Sequence, residues 1–250
     1  MKDHFRYRFA ILPQHKHPDQ LERRQPLPPK RDDTAVRNNG RLMELDDGGR
    51  DFDRRGWPGQ REYQMLVELA DIQPRIWRRL VLADTTPLPL LHRILQIAFV
   101  WQDRHLHEFR VGSVRFGVPD EDFAPPPIDE RRVRLYQIAN EPGDRFVYMY
   151  DFGDSWHHEA LLEDLRAVPE PPTPKCLEGR RASPPEDCGG LDGYERLVSV
   201  LEDPTNAEHE DARLWAGSWA PERLDLDGIN RRLARLPRRV ASATATRQRP

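Results

Sequence analysis

The densest group of side chains able to do chemistry lies in one short stretch, where Asp151, Asp154, His157, His158 and Glu159 surround Phe152-Gly153. Two carboxylates and two imidazoles around a turn form a donor set for a divalent metal, or an acid and a base acting on one substrate. A structural account competes with this one: Asp side chains accept backbone N–H groups in tight turns, and Gly153 supplies freedom for positive φ. Asp151-Phe152-Gly153 also spells the metal-binding tripeptide of protein kinases. Nothing else supports that reading, because no Gly-rich loop, V-A-I-K lysine or H-R-D loop accompanies it.

Three further groups carry reactive or binding chemistry. His105 and His107 stand two apart, so on a strand both face the same side, as a metal site requires. Their spacing is not the H-E-x-x-H helix pattern. Glu108, beside them, is a candidate base. Pro184 to Gly190 combines rigidity with Glu186, Asp187 and Cys188. Those carboxylates equally suit the approach to a helix N-terminus. As a nucleophile, Cys188 would need a basic neighbour to lower its pKa, and no local thiol-enzyme signature surrounds it. Trp77-Arg78-Arg79, with Arg75, resembles a surface that contacts phosphate and stacks a base. Strand alternation puts Trp77 and Arg79 on one face and Arg78 on the other.

The elements that must position these groups follow from periodicity. Tyr63, Met65, Val67 and Leu69 alternate as a strand does, and Ile76 to Leu82 follows a turn as its antiparallel neighbour. Thr85 or Thr86 is placed to cap a helix with Pro87 or Pro89 in its first turn and Leu91, Ile94, Leu95, Ala98 and Phe99 on its buried face. His105 to Val111 and Val114 to Phe116 flank Gly112-Ser113, which suits a type II′ hairpin. Arg132 to Leu135 reads as a short strand. Phe146 to Tyr150 and Trp156 to Leu162 form the clearest hairpin, joined by the Asp151 to Ser155 turn. Val168 to Asp187 reads as a Pro-rich loop. Three C-terminal helices complete the set: one through Tyr194, Leu197, Val198 and Leu201, one from Glu208 to Ala216, and one through Leu226, Ile229, Leu233 and Leu236 with Asp225 or Asp227 as cap. The expected fold is α+β, with antiparallel sheet built from hairpins and about four helices, the last three C-terminal.

Composition sets the limits. Hydrophobic residues are 37% of the 250 and charged residues 32%. Part of the chain is therefore too polar to pack, and residues 1–60 read as a disordered leader in which only Phe5 to Leu12 has strand character. Residues 61–237 form the expected domain and 238–250 a disordered basic tail. A formal charge of -3 gives no global attraction to nucleic acid or anionic lipid, so any such partner must meet a local patch. No apolar run is long enough to span a bilayer, and no signal-peptide core follows the N-terminal basic residues, so a cytoplasmic protein is expected. Cys176 and Cys188 are expected as free thiols.

Read in order, Pro74 to Arg79, Leu91-His92, Trp101 with His105-Leu106-His107-Glu108-Phe109, Tyr150 to Trp156 with His158, Pro184 to Gly190 with Tyr194, and Leu224 to Leu233 resemble the plasmid pRiA4b ORF-3-like family over about Tyr63 to Leu236. The resemblance implies an α+β domain found in bacterial chromosomes, plasmids and insertion elements, without an established activity. Some relatives carry a transposon-passenger or resolvase-type label, which describes genomic neighbourhood. Relatives often have Cys where this chain has Ser183, so a thiolate cluster on that loop would be incomplete. The leading expectation is a non-catalytic binding module associated with mobile elements, presenting the His105/His107 strand, the Asp151 turn and the Trp77 to Arg79 surface to protein or nucleic acid. The rival is a metal-dependent hydrolase or nuclease with His105, His107, Asp151, Asp154 and His158 as ligands and Glu108 or Glu186 as base. No cofactor is assigned beyond that divalent metal. A purely structural or toxin-neutralising partner protein is the third reading.

Overall fold

The computed structural model describes residues 60–119 and 125–236. The expected leader up to residue 59, the Phe5 to Leu12 strand and the basic tail lie outside the described residues. The first strand, β1 (Gln60–Leu69), buries Tyr63, Met65, Val67 and Leu69 in strict alternation, and β2 (Trp77–Ala83) pairs with it antiparallel. A short turn makes this pairing the nearest way to satisfy both backbones. Helix α1 (Leu88–Ala98) follows and buries Leu91, Ile94, Leu95 and Ala98. Its start differs from expectation: Thr86 donates its hydroxyl to Ala83 O, and Pro87, with its fixed φ, occupies the cap position without a side-chain bond.

The next elements are β3 (His107–Val111), β4 (Val114–Gly117) and the two-residue β5 (Ile128–Asp129). Gly112 takes φ +56 in the β3–β4 turn, and Ser113 does not take positive φ, the type II′ pattern. The strand expected at Arg132 to Leu135 does not form. A 3-10 turn at Glu130–Arg132 and one turn of helix, α2 (Leu135–Ile138), occupy this stretch, leaving only a Pro87–Arg134 bridge. Asp129 accepts the Arg131 N–H and so starts the 3-10 turn.

Strands β6 (Arg145–Tyr150) and β7 (Trp156–Val168) make the expected hairpin, with His158 opposite Tyr148. Within the turn, Asp151 and Ser155, not Gly153, hold positive φ. Asp tolerates the left-handed region because its carboxylate bonds its own backbone two residues on. The Pro-rich loop contains a strand that periodicity does not reveal, β8 (Lys175–Arg180), paired antiparallel with β2. Helices α3 (Gly190–Glu202), α4 (His209–Ala216) and α5 (Leu226–Leu233) close the described chain, and Asp225 caps α5 through Gly228 N–H.

All eight strands form one sheet in the order β5-β4-β3-β6-β7-β1-β2-β8, antiparallel except for β4–β5. The α+β class is as expected. Helix α5 packs on β8 and α1, so its buried Ile229 and Leu233 complete the core begun by β1, β2 and α1. Because β6 and β7 are central, the turn that joins them sits beside the connection between α1 and β3. No helix among the described residues is long and apolar enough to cross a membrane.

Candidate functional site

Three connections meet at the β6–β7 turn. The first runs from α1 to β3, where Val100 and Asp103 take left-handed φ and redirect the chain. Trp101 anchors it, packing 5.7 Å from Trp156 and 5.4 Å from Tyr150 between ring centres. The second is the turn itself, tied to the first by Asp151 N–H donating to Leu106 O. The third is the segment Pro184 to Gly190. Glu186 Oε1 accepts from Gln102 N–H at 2.6 Å and from the Tyr150 hydroxyl at 3.0 Å, while Asp154 Oδ2 accepts from Gly189 N–H. Tyr150 Oη in turn accepts from Arg104 N–H.

This stitching surrounds one imidazole with three carboxylates. His105 Nε2 lies 3.0 Å from Asp187 Oδ1, 3.5 Å from Asp151 Oδ2 and 3.6 Å from Glu186 Oε2. Asp151 commits its other oxygen to Gly153 and Asp154 N–H groups, which fixes the free one toward His105. Glu186 does the same with Oε1, and its side chain is only 6% exposed. His105 Nε2 is buried and makes no aligned hydrogen bond among the described residues, although Asp187 Oδ1 stands 3.0 Å away. A buried imidazole nitrogen without an aligned partner is costly, and three carboxylates around one imidazole leave an excess of negative charge.

Donor atoms of His105, Asp151 and Asp187 all lie within 4.8 Å of one another. His105 Nε2 stands 3.0 and 3.5 Å from the Asp187 and Asp151 oxygens, separations also found between neighbouring ligands about 2.0–2.2 Å from one divalent ion. One imidazole with carboxylates suits Mn²⁺ or Zn²⁺.

The other expected site residues lie elsewhere. His107 and His105 do not share a partner: His107 Nε2 meets Glu130 at 2.9 Å, and its ring stacks on His92 at 3.6 Å. His92 in turn meets Tyr148 Oη and Asp103, both at 2.8 Å, and Gln96 donates to the same Tyr148 oxygen. Burial, aided by His107, pulls the His92 pKa down to about 4. Sequence reasoning named His92 only within the family resemblance, not as a site residue, and missed Asp103, Gln96, Glu130 and Tyr148, since His92 hides on the apolar face of α1 and most of its partners are distant in sequence. His158 is fully buried. Its Nδ1–H donates to Tyr148 O and Trp156 O, and its Nε2 accepts from the Trp101 indole at 3.2 Å. Burial lowers its pKa to about 3, which leaves it neutral and structural. Asp154 holds the Gly189 backbone, and buried Glu108 pairs with Arg110 and Arg115.

Arg78 is not on the surface: it is wholly buried. Arg79 lies over the Trp77 ring and forms a two-pronged bond to Glu163, with Glu178 on its third nitrogen. Arg75 is paired with Glu68. The basic charge read from this stretch is therefore neutralised or enclosed. Both thiols are free. Burial, reinforced by Asp154, Asp187 and Glu186, pushes the Cys188 thiol up to about 12, the wrong direction for a nucleophile. Ser183 Oγ accepts from Arg78 at 3.5 Å.

The sequence profile of the plasmid pRiA4b ORF-3-like proteins matches residues 61–228. An uncharacterised protein, y4hQ of Sinorhizobium fredii (strain NBRC 101917 / NGR234), is 40% identical over 156 residues, which are 62% of this chain and 80% of the relative. The crystal structure of a protein of unknown function, MM3350 from Methanosarcina mazei Go1, superposes with a TM-score of 0.59 at 31% identity, covering 68% of this chain and 97% of that one. Fold, ordered motifs and matched span agree, and the chain belongs to the plasmid pRiA4b ORF-3-like protein family.

Proposed function

We propose that the domain is a metal-dependent hydrolase centred on His105, Asp151 and Asp187, with Glu186 beside them as the base. One observation carries this reading: the buried Nε2 of His105 stands 3.0–3.6 Å from three carboxylates without an aligned hydrogen bond to any of them. Three protein ligands leave coordination positions for water and substrate, and a bound ion would supply an activated water and a Lewis acid there. Glu186 holds Oε2 3.6 Å from His105 Nε2 while Oε1 is anchored from two sides, as a base must be to hold its aim. The rearranged ligand set replaces His107, Asp154 and His158, each of which has another task.

The test begins with protein purified without an affinity tag. About one equivalent of Mn²⁺ or Zn²⁺ is expected by calorimetric titration. Metal at one hundred times its Kd should add about 2.7 kcal/mol, a rise in melting temperature of roughly 5–10 °C. His105→Ala and Asp187→Asn should abolish both effects, whereas Asp154→Asn should retain measurable binding. Less than a tenth of an equivalent, with no gain in melting temperature, would sink the proposal.

A non-catalytic binding module remains the second reading, favoured by the exposure of Asp187 at the edge of the cluster. There a cationic side chain from a partner protein would satisfy the same carboxylates. Metal-loaded protein that turns over no ester in a phosphate, carboxylate and sulfate panel would favour it. The nucleic-acid form of this reading has lost Arg78 and the open charge of Arg79, so unchanged mobility with DNA and RNA at low salt is expected.

A further inference from the structure

Beside the cluster, between Phe152 and the β3–β4 hairpin, lies a cleft of about 140 Å³. Its walls include Leu106, Val118, Pro127 and Phe152, and Leu106 and Val118 are 57% and 59% exposed. Single exposed aliphatic side chains are ordinary, but two lining the same cleft form an apolar surface that water covers at a cost. The polar lining is as specific: His105 forms part of the wall, with its buried Nε2 turned to the carboxylates behind it, and Arg115 forms another part. Glu108 is buried and shared by Arg110 and Arg115, so this trio carries one positive charge in excess. His107 completes the wall, immobilised by Glu130 and by its stack on His92.

Size decides what fits. An apolar cavity of about 150 Å³ accommodates benzene. The cleft is therefore of one-ring size. We infer that it is the specificity subsite of the same centre, receiving one ring-sized apolar group of a small ligand whose oxyanion faces the cation at His105 and the excess charge of the Arg110–Glu108–Arg115 trio. The proposal rests on the metal-dependent reading for the position of the oxyanion, and not for the ring.

Phenylphosphonate and methylphosphonate, which share an oxyanion and differ in the ring, are suitable probes with the full chain, loaded with Mn²⁺ or chelated. Phenylphosphonate should bind the loaded protein at least tenfold more tightly than methylphosphonate. Chelation should weaken both and keep the ring preference. Val118→Trp fills the cleft from an exposed position and should erase the preference at unchanged Mn²⁺ affinity, and Leu106→Asp at the rim should act in the same direction. Arg115→Ala should weaken both ligands alike. Equal affinity for the two phosphonates, absence of binding by either, or a preference untouched by Val118→Trp and Leu106→Asp would overturn the inference. Loss of Mn²⁺ binding with an intact ring preference would overturn the metal reading alone.

Discussion

The guanidinium of Arg78 lies wholly within the protein and donates to four main-chain carbonyls, those of Trp77, Ala98, Arg180 and Arg181, at 2.7–2.9 Å. It thereby joins the end of α1 to the segment after β8, with the Phe99 ring 5.1 Å from its centre. Burial lowers its pKa to about 10, which leaves it charged at neutral pH. A lysine cannot reproduce the planar fork, so Arg78→Lys strands buried carbonyls and should cost about 3–5 kcal/mol in a urea melt. A loss below 1 kcal/mol would show that these bonds matter little. Two buried histidines set the acid response. In the folded protein, His158 and His92 are pushed down to about 3 and about 4, chiefly by burial, whereas in the unfolded chain they take up protons at the ordinary value. The unfolded state therefore binds more protons below about pH 6.5, and stability falls on acidification, with a slope approaching about 1.4 kcal/mol per pH unit for each histidine. Urea midpoints at pH 7, 6 and 5 read this out before most carboxylates titrate, and a flat profile would contradict it.

At the level of elements, the loop bearing Glu186 and Asp187 owes its path to two glycines at the start of α3. Gly190 takes φ +68, and a Cβ there would stand 2.9 Å from Asp154 O; a Cβ at Gly193 would fall 1.9 Å from Cys188 O. Gly190→Ala must push the loop off the Asp151 turn. It should cost about 1–3 kcal/mol and weaken Mn²⁺ binding at least tenfold. Gly143→Ala is the control, since its φ is also positive, at +100, but with open space around it; backbone strain alone should cost about 1–3 kcal/mol and leave Mn²⁺ affinity unchanged. Equal metal affinity in both variants would separate the loop from the site. The elements most legible in the sequence were those with one buried face, such as β1 and the β6–β7 hairpin, where alternation is enforced by the core. Strand β8 buries Cys176 alone, and its neighbour β2 imposes its extended form by offering an unpaired edge. Arg132 to Leu135 failed for the related reason that Asp129 and the Thr86 carbonyl, which accepts Leu135 N–H, capture the local backbone.

At the scale of the whole molecule, the candidate centre is assembled from three connections that a single sheet brings to one place. Residues 60–236 carry every part of it, and a chain trimmed to that span should keep one Mn²⁺ site and melt within about 4 °C of the full chain. Loss of the site on trimming would implicate residues outside that span. Periodicity and local backbone chemistry make the class of fold, the order of its main elements and the turn at Asp151 legible in the chain, and the ordered motifs carry the family. The sequence also named His105, Asp151, Glu186 and Asp187 among its candidates. That these four converge while His107 turns to Glu130, His158 enters the core and Arg78 is buried follows from the packing of the sheet and its connections. The reason is physical: residues two apart in sequence, such as His105 and His107, find different partners, since those partners arrive from strands and loops that only the sheet order brings near.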